Sequence, residues 1–387
     1  MNDNQHIPSG YKPSPLGIIP EDWEVTRLGD FAPLQRGFDL PTDKIVKGNY
    51  PVVYSNGILN YHHEYKVKGP GVVTGRSGTI GKVTYVESDY WPHNTSLWVT
   101  DFNNNDHRYV FYLYKYLDLS KFASGSGVPT LNRNDVHSYK IAVPPLPEQQ
   151  RIVSVLSLWD TAIAKQTALI EQLTLRKRGL MQQLLTGKKR LKGFEGEWKE
   201  VRMQDLASFA GGGTPSTKRS DFWEGTIPWI SSSDLVEDCL TNNESRYITE
   251  EAIANSTTQL LPSKSILIVT RVGVGKVAIA KHPICVSQDF TCLTKYDADT
   301  LFLAYSLLLT MKKKKSQSQG TSIKGISTDE ISKIKLLLPS IEEQKAIASV
   351  LVNAVKEIEI QKQKLAALQE QKKGLMQVLL TGKKRIK

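Results

Sequence analysis

Between about Pro147 and Thr186 apolar side chains recur at alternating steps of four and three, at Ile152, Leu156, Trp159, Ile163, Ile170, Leu173, Leu180 and Leu184. Gln166 and Lys177 fill the two remaining places of that stripe. The rhythm is the seam of a coiled coil, where a polar residue lowers stability and fixes register. It returns 195 residues later at Ile347, Leu351, Ala354, Ile358, Leu365, Leu368, Leu375 and Leu379, with Gln361 and Lys372 at the same two polar places. Two helices of nearly 40 residues are therefore predicted, each a rod of roughly 58 Å. A rod of that length is longer than a domain of this size is wide, so the two stripes are expected to pack on each other. They run antiparallel if a two-fold axis relates the units. Gly187 and Gly382 stand where a helix stop uses a left-handed residue, beside lysines that suit the negative end of the dipole.

Elsewhere the pattern shortens to alternating strands such as Gly81 to Val86 and Lys276 to Ala280. A tyrosine-rich helix is predicted around Tyr109 to Leu117, with its counterpart around Leu301 to Met311. The chain is one unit written twice. Lys177 to Lys192 and Lys372 to Lys387 are identical at 13 of 16 positions, and the same shift brings Glu148-Gln149 onto Glu343-Gln344 and Gly125 onto Gly320. A shift of 175 pairs Trp23, Arg27 and Asp30 with Trp198, Arg202 and Asp205, so the second copy holds 20 extra residues, most of them between Leu235 and Pro262. The expected order is a domain over residues 1–146, a helix over 147–190, a second domain over 191–340 and a second helix over 341–387. The fold class is α+β: two mixed domains and two long helices forming an antiparallel coiled coil, with a pseudo-two-fold internal repeat. The segment before Trp23 is read as the entry to the first domain, matching Gly193, Phe194 and Trp198, which lead from the first helix into the second domain.

Charge directs the search for a partner. The 387 residues carry a formal net charge of +11 and a pI near 9.3, which favours a polyanion through counterion release. The first eleven residues hold no apolar run, and nowhere do 18 apolar residues follow one another, so no secretory signal or membrane span is expected and the location is read as cytoplasmic. Cys239, Cys285 and Cys292 lack Cys-x-x-Cys spacing and are expected as core thiols. Seven histidines show no ligand pair at helical spacing, and no metal site is expected.

Candidate contacts with double-stranded DNA are basic or amide residues in turns. Arg76-Ser77-Gly78-Thr79-Ile80-Gly81-Lys82 is matched to Arg271-Val272-Gly273-Val274-Gly275-Lys276. A nucleotide loop would need Gly where Arg76 and Thr270 stand and Ser or Thr where Val83 and Val277 stand, so the ATP-loop reading fails. Exposed amides beside Arg76, Ser77, Lys82, Arg271 and Lys276 can still grip phosphates, and arginine suits guanine in a major groove. Ser55-Asn56 and Ser231-Ser232-Ser233 occupy comparable places, as do Asn94-Thr95-Ser96 and Ser287-Gln288-Asp289. These polar loops are further candidates for bonding base edges. The lysines Lys312 to Lys315 are read as backbone-neutralising or simply solvated. Gly211-Gly212-Gly213 is too weak to define a cofactor site. With no adenine-methylation, helicase or nuclease motif, the chain is expected to be non-catalytic and to hold no cofactor.

The duplicated Pro144-Pro145-Leu146-Pro147-Glu148-Gln149 and Pro339-Ser340-Ile341-Glu342-Glu343-Gln344, the repeated Gly-Leu-Met-Gln helix ends, Trp229-Ile230-Ser231 and Trp91-Pro92-His93-Asn94-Thr95 resemble the specificity subunits of type I restriction-modification systems. The resemblance covers essentially the whole chain. It implies that each domain is a target-recognition domain reading one half of a split, asymmetric DNA sequence. It also implies two methylation subunits bringing S-adenosylmethionine, and two restriction subunits using ATP with Mg. The helices would then serve as spacers and docking surfaces. The alternative is a non-catalytic adaptor in which a coiled coil joins two protein-binding domains; salt-dependent DNA binding separates the two.

Overall fold

The computed structural model describes residues 7–124, 129–236, 240–317 and 325–386. Gly125, Gly320 and Cys239 lie outside them. The chain forms two compact units, residues 1–167 with 363–387 and residues 168–362. Each unit holds one mixed domain and a half of each long helix.

The long helices are Leu146–Leu184 and Ile341–Leu379. Burial follows the predicted stripe. Ile152, Leu156, Leu173, Leu184, Ile347, Leu351, Ile358 and Leu379 are buried, Trp159, Ile163, Ile170, Leu180, Leu365, Leu368 and Leu375 are half-buried, and the residues between them are mostly exposed. The polar places behave as seam positions too, with Gln166, Lys177 and Lys372 buried and Gln361 half-buried. Antiparallel packing is explicit within each unit. In the first, Arg151 reaches the Ile386 carbonyl while Lys372 pairs with Asp160 at 2.5 Å. In the second, Arg176 lies 3.9 Å from Glu357 and Arg190 2.6 Å from Glu343. Both helices stop at glycines with φ of +69°, Gly187 and Gly382, in the left-handed region where a side chain is strained.

The first unit is built on a four-stranded sheet in which strand Ser96–Val99 lies between Leu34–Arg36 and Gly71–Gly75, with Val83–Val86 outermost. The helix His107–Tyr116 packs on it; Asp106 caps its start by accepting the Arg108 and Tyr109 amides, both at 2.9 Å. Beside it, strand Lys47–Tyr54 pairs antiparallel with Gly57–His62 and parallel with Trp91–Pro92. The second unit repeats this plan. Strand Phe290–Tyr296 lies between Ala207–Gly211 and Ile266–Val269, and Ile227–Ile230 pairs antiparallel with Arg246–Ile248 and parallel with Cys285–Val286. The extra residues now have a place. Where the first unit turns from Tyr54 to Gly57 through Ser55 and Asn56, the second runs from Ile230 to Arg246. Further on it adds the helix Glu250–Ala254, capped by Thr249.

The Glu-Gln landmark is a tie inside each unit. Glu148, 2% exposed, accepts the Trp23 indole at 3.0 Å and two bonds from Arg385, at 3.0 and 2.6 Å. Glu343, 1% exposed, does the same for Trp198 at 3.2 Å and Arg190 at 3.0 and 2.6 Å. Gln149 and Gln344 each accept the amide that precedes the capped helix, from Asp106 and Asp299, at 3.0 and 2.8 Å. The N-terminal hairpin of Tyr11–Ser14 and Gly17–Pro20 meets the end of the second helix, with the Tyr11 hydroxyl 3.1 Å from the Gly382 carbonyl. Cys285 and Cys292 are buried thiols; desolvation pushes Cys285 up to about 11 and raises Cys292 as well.

Candidate nucleic-acid interface

In each unit the parallel strand pair delivers two polar turns to the same edge. The first follows the strand that ends at Tyr54 or Ile230, and the second follows Pro92 or Val286. Backbone bonds put the copies in register. The His93 amide bonds the Val53 carbonyl at 2.9 Å and the Ser287 amide bonds Ile230 at 2.9 Å, so Asn94 and Gln288 stand at the same place. Their partners match as well. The Asn94 amide donates to Asp39, and the Gln288 oxygen accepts from Thr214 at 2.5 Å. An amide is thus oriented at one position in both units by side chains of different chemistry, on the same scaffold.

A third turn, after strand Gly71–Gly75 or Ile266–Val269, closes against the second. The Arg76 amide donates to the Thr95 carbonyl at 2.9 Å and its carbonyl accepts from Leu131 at 2.8 Å. In the second unit the residue making those bonds is Thr270, to Asp289 at 2.8 Å and from Ile326 at 2.7 Å. This corrects the sequence alignment, which set Arg76 against Arg271. In this register the two turns have equal length before their Gly-Lys pairs, and Arg271 occupies the place of Ser77. Arg271 is exposed and Arg76 half-buried.

The lysines of these turns are engaged within the protein. Lys82 donates to the Asn56 carbonyl, and Lys276 to the carbonyls of Ser232 and Leu235 at 3.2 and 3.0 Å. They bridge the third turn to the first. Thr95 accepts the Ser55 amide at 3.3 Å and lies 3.0 Å from His93, whose ring packs on Tyr54 at 4.3 Å; burial lowers the His93 pKa. Ser231 is bonded by Arg246 at 2.8 Å, while Ser232 and Ser287 are 7% and 2% exposed and turn inward. The residues that face outward are Asn56, Lys82, Ser233, Arg271 and Gln288, with Ser55, Arg76, Ser77, Asn94 and Thr95 half-exposed.

The triple glycine has a packing reason. A Cβ on Gly212 would come within 2.2 Å of the Ser287 carbonyl, as one on Gly37 would with His93, so backbones touch there in both units. Lys312 and Lys313 belong to the helix Thr300–Gln317, which runs further than expected, and line a cleft of about 910 Å³ with Arg178, Gln182 and Lys188. Among the described residues one group brings possible metal ligands together, His62, His63 and Glu64 within 4.8 Å. It sits at a strand end, where helical spacing could not reveal it; the His62 Nδ1 already lies 3.1 Å from the Val46 amide and carbonyl. Among the described residues no helix is long and apolar enough to cross a membrane.

Two copies of one mixed domain, each presenting three polar turns and tied to a long antiparallel helix pair, define a duplicated recognition protein. The family model of the type I restriction modification DNA specificity domain matches residues 20–175 and again 195–370. A putative type I restriction enzyme specificity subunit of Methanocaldococcus jannaschii is 27% identical, covering 97% of each chain. The EcoR124I/EcoR124II specificity subunit of Escherichia coli is 25% identical over 81% of this chain and 85% of its own. Among solved structures, the S subunit of a type I restriction-modification system from M. genitalium superposes with a TM-score of 0.57 at 14% identity, covering 98% of each chain. A chain from a study of complex assembly in the type I system gives a TM-score of 0.63 at 17% identity, over 94% of this chain and 99% of that one. The chain belongs to the type I restriction-modification specificity subunits.

Proposed function

We propose that this chain supplies the sequence reading of a type I restriction-modification assembly and leaves the chemistry to its partners. Each domain reads one half of a split, asymmetric duplex site. The observation that carries this is the amide position shared by Asn94 and Gln288: equal backbones, different neighbours, as expected of two readers with different targets. Amides at that position suit adenine edges, and Arg76 or Arg271 suits guanine or phosphate.

Docking is supported by the repeated helix ends. Lys373, Met376 and Gln377 line a cleft of about 520 Å³ in the first unit, and their repeat partners Arg178, Met181 and Gln182 line the 910 Å³ cleft of the second. Equivalent clefts with matching linings suit two copies of one partner, the methylation subunit that brings S-adenosylmethionine; restriction subunits with ATP and Mg complete the assembly. Methyl transfer in that assembly requires the adenine to be flipped into a pocket of the partner.

The test is an exchange. Replacing residues 22–139 with the first domain of another such subunit, then mapping methylated adenines in the host genome, should change one half of the motif. Changes in both halves would show that the domains do not read separate half-sites. The purified chain alone is expected to transfer no methyl group and hydrolyse no ATP, and reproducible methylation by it would overturn the non-catalytic reading.

A further inference from the structure

In the first unit three guanidinium groups line one cleft of about 300 Å³. Arg36 ends the strand Leu34–Arg36, Arg76 follows Gly71–Gly75 in the same sheet, and Arg133 opens the helix Arg133–Ser138. The backbone holds all three in place. Arg36 is paired across the sheet with Leu97, Arg76 is bonded on both sides as described, and Asn132, which also lines the cleft, caps the helix by accepting the Asn134 amide at 3.0 Å.

Among the described residues the charges are barely compensated. Asp39 is the one carboxylate paired with any of the three; it lies 3.5 Å from Arg36, is 72% exposed and also takes the Asn94 amide. Three like charges beside one cleft repel one another unless an anion enters it. Guanine offers its acceptor pair to a single arginine, whereas the oxygens of a phosphodiester accept from several guanidinium forks at once. A backbone phosphate fits the arrangement better than a base.

The second unit lacks it. Strand pairing puts Gly211 opposite Thr291 where Arg36 faces Leu97, the amide bonds put Thr270 in place of Arg76, and the capped helix opens with Thr328 where the first unit has Arg133. Its corresponding cleft carries Arg271 alone, one residue further along the turn, beside Gly325 and Ser327. We propose that Arg36, Arg76 and Arg133 form a phosphate clamp on the DNA backbone, present in the first domain and absent from the second. The clamp rests on the DNA-reading function proposed above. It gives the two half-sites unequal shares of the electrostatic affinity.

The test measures equilibrium binding of the full chain, assembled with its methylation subunits, from about 50 to about 200 mM salt. The probes are a duplex bearing the methylated motif and a scrambled duplex of equal length. Arg36→Ala/Arg133→Ala should flatten the slope of log affinity against log salt by about 0.9 for each phosphate released, and weaken both duplexes about tenfold at the lowest salt. Arg36→Gln/Arg133→Gln, which keeps polar bulk, should act alike, and Lys199→Ala, an exposed charge outside the cleft, should leave the slope unchanged. Circular dichroism and the thermal midpoint confirm that the variants are folded. Wild-type slope and affinity in folded double variants would overturn the clamp while leaving the DNA-reading function standing. Loss confined to the motif duplex, or an altered half-motif, would mean base contact and overturn the phosphate assignment. Absence of salt-dependent binding by the wild-type assembly to either duplex would overturn both readings.

Discussion

Single residues show how far one contact can be pushed by pH. The Leu34 amide donates to the His137 Nε2 at 2.8 Å, which requires an unprotonated nitrogen. Burial lowers the His137 pKa, and the neighbouring Arg133 lowers it further. A folded pKa below the unfolded value of about 6.5 gives stability that is complete above that pH and is lost as pH falls through the folded value. The thermal midpoint of the first unit should therefore fall between pH 7.5 and 5.5. His137→Gln, whose amide oxygen accepts the same bond at either pH, should show a smaller fall, and differential scanning calorimetry at both pH values checks it. Asp22 adds a lesser contribution of the same sign at lower pH, since its bond from Arg385 holds the carboxyl below its usual value. The buried Glu148 and Glu343 matter for another reason: each joins a strand start, a helix start and a helix end through one carboxylate.

Among the elements, the seam of the long helices contains a charge that packing alone would not choose. Lys372 is 5% exposed, lies over the Tyr112 ring at 5.0 Å and pairs with Asp160, which also accepts the Tyr112 hydroxyl at 2.6 Å. Lys372 is the buried end of the pair and Asp160 the half-exposed one, so removing Asp160 leaves a buried ammonium unmatched, whereas replacing both restores apolar packing. Asp160→Ala should destabilise the first unit by about 1 to 3 kcal/mol, the cost of leaving a buried donor without its acceptor. Asp160→Ala/Lys372→Met should recover most of that loss in urea unfolding. If the double variant is no more stable than the single one, the pair stabilises the seam outright instead of fixing its register. The aliphatic seam positions around it supply the burial and the lysine supplies the alignment, because only one offset of the antiparallel helices brings it to Asp160.

For the whole molecule, the expectation that the helices set the gap between half-sites rests on their equal length of 39 residues. A heptad inserted at the same point in both helices keeps the seam in phase and adds about 10.5 Å, close to three base pairs of B-DNA. Methylation mapping should then show a longer gap, or binding should fail because the added base pairs rotate one half-site by roughly 100°. An unchanged gap at undiminished affinity would sink the ruler.

What the chain's own order determined is local or repeated. The four-three stripe, the glycine stops and the duplicated helix ends were all legible, because helix periodicity places residues three and four apart on one face whatever the rest of the chain does. The polar turns after the strands were legible as candidates, though not their orientation: Ser232 and Ser287 turn inward, and Lys82 and Lys276 are held by backbone carbonyls. Only the tertiary structure decided which residues meet. Glu148 and Arg385 are 237 positions apart, and no periodicity links them. The alignment of Arg76 with Arg271 followed residue identity, while the sheet hydrogen bonds, which set the true register, align Arg76 with Thr270. The cleft lined by Arg36, Arg76 and Arg133 depends on that register and on a cross-strand pairing. Side chains distant in sequence become neighbours through strand pairing, and a shift of one residue in the pairing of Leu34–Arg36 would turn Arg36 to the opposite face of the sheet.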